Sequence, residues 1–209
     1  MSYKTEQEDF WAGEFGSGYI QRNQSDQLLA SNLDFFSKSM HLTSGVNTCI
    51  EFGANIGMNL KALQLLYPKQ ELFGIEINKE AAEELTKVIP NENIYQKSIL
   101  EFKENRQWDL VLIKGVLIHI NPDELLSVYS KLAKASSKYL LVAEYYNPSP
   151  VSISYRSHND RLFKRDFAGE IIDKYPEFKL VDYGFLYHKD ENFPQDDITW
   201  FLLEKSTRG

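Results

Sequence analysis

The sequence predicts an α/β fold, a mainly parallel sheet covered by helices on both faces and closed at one edge by an antiparallel hairpin. Three observations carry this expectation. From about residue 46 to residue 146, short apolar runs bounded by turn residues alternate with stretches whose apolar residues recur at helical spacing. Within that region, Cys49-Ile50-Glu51-Phe52-Gly53-Ala54-Asn55-Ile56-Gly57-Met58-Asn59-Leu60 reads as a buried strand, a tight glycine turn and the start of a helix. The alternation stops near the end, where Phe178 to His188 and Ile198 to Lys205 are strand-like runs joined by a polar loop too short of apolar residues for a helix.

In chain order, residues 1 to 25 set Phe10, Trp11, Phe15 and Tyr19 among Gly13, Gly16 and Gly18. This pattern predicts an irregular loop whose rings pack either on the domain or, as a lid, on a bound ligand. Leu28, Leu29, Leu33, Phe36 and Met40 then define an amphipathic helix capped by Ser25 or Asp26. Strands are expected near 48 to 53, 71 to 77, 93 to 98, 108 to 114 and 138 to 146, with helices at 57 to 67, 79 to 88 and 122 to 135. Asn78 introduces the second of these helices, and Asn121-Pro122 the third, with the proline in the first helical turn. A helix at about 166 to 175 precedes the terminal hairpin. With its two strands the sheet has seven.

Composition narrows the function classes. A chain of 209 residues suits one well-buried domain, divided here into an N-terminal lid and helix (1 to 45), a ligand-binding core (46 to 146), an insertion with a helix (147 to 177) and an edge hairpin (178 to 209). The apolar fraction of 43% and charged fraction of 25% are those of an ordinary globular protein. No window reaches the roughly 18 to 20 apolar residues of a membrane span, and the first residues lack an apolar signal core. Cys49 is the single cysteine and falls in a predicted core strand, which suits a reducing, cytoplasmic compartment. A net charge of −7 argues against nucleic acid as a partner. The four histidines show no short ligand spacing, so no metal is expected; Asp196-Asp197 either shape the edge loop or offer carboxylates to a cation.

The glycine turn is where ligand chemistry enters. Gly53 and Gly57 have no Cβ, so the backbone of Gly53, Ala54 and Asn55 can approach a ligand closely. Further on, Phe73-Gly74-Ile75-Glu76-Ile77 is a second buried strand ending in an acid, the arrangement that holds a ribose in nucleotide-binding βαβ units. The spacing Gly-x-x-x-Gly disfavours a dinucleotide, whose pyrophosphate requires Gly-x-Gly-x-x-Gly. Lys114 ends the fourth strand on the ligand side, where it either meets the ligand or pairs with a neighbouring acid. His119 follows an apolar run, either as a packing histidine or as a group that contacts a substrate as base or cation.

The element order, Glu51-x-Gly53-x-x-x-Gly57, Glu76 and the terminal hairpin resemble the Rossmann-like class I S-adenosylmethionine-dependent methyltransferases. Phe10-Trp11-Ala12-Gly13-Glu14-Phe15-Gly16 with Tyr19 and Arg22-Asn23, Lys114 through Pro122, Glu144-Tyr145-Tyr146-Asn147-Pro148 and Phe193 through Asp197 are similar to pseudaminic acid biosynthesis-associated methylases and to phosphonate O-methyltransferases. The resemblance implies S-adenosylmethionine as cofactor and S-adenosylhomocysteine as product. It also implies that Glu51 holds the amino-acid tail, directly or through water, and that Glu76, with Ile77 beside it, takes the ribose hydroxyls. Asn55 stands where a glycine is commonest. Ser98 stands where the superfamily often has an aspartate for the adenine amine, which shifts weight to stacking by Ile99 or Leu100. Tyr19, on the lid, is expected near both cofactor and acceptor.

The acceptor is read from a different segment. Residues 151 to 165 carry Arg156, Arg161, Lys164 and Arg165 against the single acid Asp160. This is either a grip for anionic oxygens, with Arg156 and Lys164 or Arg165 as contacts and Tyr145, Tyr146 and Tyr155 adding hydroxyls, or a basic surface whose arginines pair with Asp166 and Glu170. An ionised acceptor oxygen needs cationic positioning, whereas a sugar hydroxyl needs a base such as His119. Three functions remain open: an O-methyltransferase for a small anionic sugar, phosphonate or phosphoramidate; a protein or RNA methyltransferase; and a catalytically silent binding protein, in each case a monomer or homodimer.

Overall fold

The computed structural model describes residues 3–20, 24–155 and 158–206, with backbone alone for 154, 155 and 158–161. Nine strands are found there, and seven of them form one sheet: β1 (Thr48–Phe52), β2 (Glu71–Glu76), β3 (Ile94–Gln96), β4 (Trp108–Lys114), β5 (Ser136–Glu144), β8 (Phe178–Phe185) and β9 (Thr199–Lys205). Their order is β3-β2-β1-β4-β5-β9-β8. The first five are parallel, while β9 lies antiparallel to both β5 and β8. The expected parallel sheet and terminal hairpin are therefore present.

Strand alternation sends side chains to two cores. Ile50, Phe52, Val111, Ile113 and Val142 pack on α6 (Leu125–Ala135) and α7 (Phe167–Lys174). Cys49, Leu110, Leu112 and Leu141 face the opposite side, against α3 (Asp26–Ser39) and α4 (Met58–Leu66). Two helices begin at the caps their sequence offers: the Ser25 hydroxyl caps α3, and Asn78 Oδ1 accepts from the Ala81 N–H to cap α5 (Lys79–Leu85); Asn121 instead caps a 3-10 turn (Pro122–Glu124) that leads into α6. Such a sheet opens its ligand crevice at the carboxyl ends of its strands, on either side of the point where the order reverses, between β1 and β4.

Two segments differ from expectation. The aromatic N-terminus is not an irregular loop but two short helices, α1 (Glu6–Ala12) and α2 (Glu14–Ile20). A capping box explains the first: the Thr5 hydroxyl accepts from Glu8 N–H and the Glu8 carboxylate accepts from Thr5 N–H. Gly16 serves close packing, since a Cβ there would fall 1.9 Å from the Trp11 carbonyl oxygen. The basic insertion, for which no strand was expected, forms a separate antiparallel pair, β6 (Val151–Tyr155) and β7 (His158–Lys164).

Candidate cofactor and acceptor site

The turn after β1 is held against the next strand by its own backbone. Gly53 and Ala54 N–H both donate to the Ile75 carbonyl at 2.9 Å, and the chain then passes through left-handed conformations at Gly53 (φ 82°), Asn55 (φ 48°) and Gly57 (φ 83°). Asparagine tolerates that region better than most side chains, which explains how Asn55 stands in a glycine's place. The Asn55 N–H donates to one oxygen of Glu76 at 2.7 Å, and the Asn78 N–H donates to the other at 2.7 Å. The Glu76 carboxylate is thus fixed edge-on between two turns. Burial pushes its pKa up, while the N–H groups of Asn78, Asn55 and Ile77 pull the other way.

Around Glu76 lies a cavity of about 570 Å³, within the range of ligand pockets. Gly53, Ala54, Asn55, Glu76, Ile77, Ser98, Ile99, Leu100, Lys114, His119 and Tyr19 all line it. Two other expected ligand residues stand behind the wall. Gly57 is the N-terminal cap of α4, and a Cβ there would meet Leu85 Cδ1 at 2.5 Å. Glu51 lies within β1, not after it, so it points with Cys49 toward α4; there Asn59, which does line the cavity, donates to it at 2.6 Å. Burial pushes the Glu51 carboxyl up to about 8, against the Asn59 hydrogen bond and the charge of Lys114.

The opposite half of the cavity is walled by side chains from distant segments. Gly115 has φ 67° and an open Cβ direction, and the turn from Val116 to His119 is secured by Glu144, whose Oε1 accepts from the Val116 and Leu117 N–H groups at 2.9 and 2.8 Å. Burial raises the Glu144 pKa to about 7. The His119 ring lies 4.7 Å from the Trp11 ring, so the N-terminal helices and the β4 turn meet over the cavity. Lys114 enters at the end of β4; burial lowers its pKa, and Glu51, Asp196 and Glu144 oppose that shift.

Sequence reasoning missed several wall residues. Gln27 and Asn32 come from α3, and His188, Pro194, Gln195 and Asp196 from the β8–β9 loop. His188 Nδ1 lies 2.7 Å from Asp197 Oδ1, which fixes the ring, and that hydrogen bond is the main cause of the depressed Asp197 pKa. Asn32 and Asn55 each contribute to this wall and each bury a side-chain carbonyl oxygen that has no hydrogen-bond partner. The signals available for the loop were its polar composition between two strands and the resemblance carried by Phe193 through Asp197.

Of the residues expected to grip the acceptor, Tyr145, Tyr146, Lys164 and Arg165 do not line the cavity. Arg165 Nε donates to Glu170 at 2.6 Å, and Glu170 also accepts from Tyr129, so the guanidinium is spent on α7. Tyr146 is exposed beside Phe201 and lines a separate shallow depression with Arg165. Lys164 lies over the Tyr145 ring, 5.0 Å from its centroid, and neither residue lines the cavity. The first turn of α7 thus engages Arg165 through Glu170. Arg22, Asn23 and Arg156 lie outside the described residues, as do the side chains of Tyr155 and Arg161. Among the described residues, no group of three His, Cys, Asp or Glu side chains is placed to hold a metal, and no helix is long and apolar enough to cross a membrane.

No family model matches the chain, and no curated protein matches it. Solved structures do. A SAM-dependent methyltransferase from Leishmania major superposes with a TM-score of 0.69 at 15% identity, over 96% of this chain and 82% of that one. Magnesium protoporphyrin IX methyltransferase from Synechocystis PCC 6803, with bound SAH, gives 0.68 at 15% identity, over 98% and 100%. The 1,6-didemethyltoxoflavin-N1-methyltransferase of Burkholderia thailandensis gives 0.66 at 11% identity, over 96% and 87%. The chain has the Rossmann-like α/β fold of these class I methyltransferases.

Proposed function

We propose that this protein is an S-adenosylmethionine-dependent methyltransferase that O-methylates a small anionic acceptor. The observation that carries the reading is Glu76, a buried carboxylate clamped by the Asn55 and Asn78 N–H groups at the cavity wall, with the Gly53–Asn55 turn beside it. A carboxylate so held accepts from two vicinal hydroxyls at once, which is the demand of a ribose. The neighbouring solved structures that contain SAM or SAH support the same ligand.

The residues present fit this cofactor. The backbone of Gly53 and Gly115 offers close polar approach, and Ile77, Ile99 and Leu100 offer apolar faces to a flat base. Glu51 acts on the amino-acid tail through Asn59, and Lys114 lies on that side. The bound cofactor supplies a methyl group already activated on a sulfonium, so the protein's task is alignment and exclusion of water. Trp11, Tyr19 and His119 close the cavity from above. His119 and His188 are the imidazoles of the acceptor half, and they orient an oxygen that is already ionised. For a neutral hydroxyl His119 serves as base. The likeness of the sequence to pseudaminic acid-associated and phosphonate methylases makes acidic sugars and phosphonates the first acceptors to try. The same reading keeps 1 to 209 as one domain in the cytoplasm.

Calorimetric titration with S-adenosylhomocysteine tests the cofactor, with micromolar binding expected and no binding refuting the reading. Incubation with acidic sugars, phosphonates and their neutral counterparts, followed by mass spectrometry, tests the acceptor. A gain of one methyl group on anionic members alone is expected; methylation of neutral members alone would overturn the anionic assignment.

A further inference from the structure

Ser98, expected to contact the adenine, has its hydroxyl proton committed elsewhere. Its Oγ donates to Glu8 Oε1 and accepts from the Leu100 N–H at 2.9 Å. The other oxygen of Glu8 accepts from the Thr5 N–H at 2.9 Å and from the Thr5 hydroxyl at 3.2 Å. Glu8 is 8% exposed and lines the cavity beside Ser98, Ile99 and Leu100. A carboxylate has about four acceptor directions, and these three donors leave one, on Oε1. We infer that Glu8, carried by the first helix of the chain, reads the 6-amino group of the cofactor's adenine, with Ser98 as the positioning residue that aims it.

The placement follows from the polarity of the wall and rests on the cofactor proposed above. Glu76 and Gln96 are register partners on neighbouring strands, so a base attached to a ribose at Glu76 reaches the loop after β3. That end offers Ile77, Ile99 and Leu100, suited to a flat ring; the other offers Asn59, Lys114 and Asp196, suited to a charged tail. At the apolar end a buried carboxylate seeks a donor, and the edge of adenine presents one at its 6-position. An oxo group there, as in hypoxanthine, would bring acceptor against acceptor. The same helix also places Gln7 and Trp11 on the wall, and Trp11 packs on His119, so reading of the base and assembly of the acceptor half share one element.

The test compares S-adenosylhomocysteine with S-inosylhomocysteine, which differs by the 6-oxo group, by calorimetry on the full chain. The wild-type protein is expected to prefer the adenosyl compound by about 10- to 100-fold, the worth of one charge-assisted hydrogen bond plus the avoided repulsion. Glu8→Gln keeps an oxygen for the Thr5 cap and turns a donor toward the ligand, so the preference should invert. Ser98→Ala, which removes the aiming bond, should narrow it about threefold to tenfold. A purely structural role for Glu8 would weaken both ligands equally and leave the ratio intact, and that result would overturn the inference. If the wild type binds neither compound, the cofactor reading itself falls; if it binds both with equal affinity, only the assignment of Glu8 does.

Discussion

The half of the cavity around Glu76 is made by backbone turns at the ends of adjacent parallel strands. The half around His119 and His188 is made by side chains from four segments that meet only in the folded chain. In the first half, hydrogen bonds between neighbouring turns fix each group: Gly53 and Ala54 to Ile75, Asn55 and Asn78 to Glu76. In the second, position depends on helix docking and on contacts such as Trp11 against His119. The contrast teaches that the ribose side, built by local turns around Glu76, is separable, by mutation, from an acceptor half built by tertiary convergence, while the first helix touches both through Glu8 and Trp11.

Glu76→Ala should break the first half with the largest effect. Loss of two charge-assisted hydrogen bonds corresponds to about 100-fold or more in cofactor affinity, measured by calorimetry. His119→Ala is the matching cut on the other side. It should lower kcat/KM for the acceptor by about 10- to 100-fold while the S-adenosylhomocysteine Kd stays within about twofold. If His119→Ala weakened the cofactor as much as Glu76→Ala does, the two halves would not be separable.

Gly57→Ala sharpens the comparison from the side of stability. The substitution forces a Cβ into a left-handed conformation and against Leu85 at 2.5 Å, without touching the cavity wall. Strain of about 1–2 kcal/mol for the backbone and a further 1–3 for overpacking predict a loss of about 2–5 kcal/mol, read as a lower urea midpoint. The glycine's role is thus to let α4 start close to α5, while the ligand meets Gly53 to Asn55.

Glu51 lends itself to a pH test. Its carboxyl titrates at about 8 in the folded chain and near 4.5 in the unfolded one, and burial is the first cause. Below pH 4.5 both states hold the proton and the group is silent. Between 4.5 and about 8 only the unfolded state releases it, so stability falls as pH rises; above 8 the deficit is constant. Glu51→Gln has no proton to lose, so its melting temperature should exceed the wild type's increasingly across that window. The gain is about 2–4 °C for each kcal/mol recovered.

These contrasts follow what the sequence made legible. The strand, glycine turn and acid around Gly53 and Glu76 are contiguous or close in sequence, and their pattern is enforced by steric rules, so they could be read from residue types alone. The fold followed for the same reason, because alternating apolar periods dictate which faces are buried. The N-terminal helices escaped the reading because their glycines suggested looseness, whereas Gly16 is there to admit the Trp11 carbonyl and Thr5 with Glu8 makes a capping box. His188 and Gln195 escaped it because nothing in a polar loop tells which of its side chains turns inward. Local charge alone does not place a side chain: Arg165 sits in a basic segment that suggested a grip, yet it pairs with Glu170 on α7.

That last case supplies the smallest expected effect, and a discriminating one. Arg165 Nε donates to Glu170 at 2.6 Å with both side chains partly exposed, at 20% and 33%, so screening by water limits the pair to under about 1 kcal/mol. Arg165→Ala should therefore lower stability slightly and leave the acceptor KM within about twofold, since the guanidinium does not line the cavity. Glu170→Ala should lower stability by more than Arg165→Ala, because it strands both Arg165 and the Tyr129 hydroxyl, whose deprotonation burial and Glu170 already disfavour. A large rise in acceptor KM for Arg165→Ala, with the fold intact, would return the basic hairpin to the acceptor site and dissolve the division of the cavity into two separately built halves.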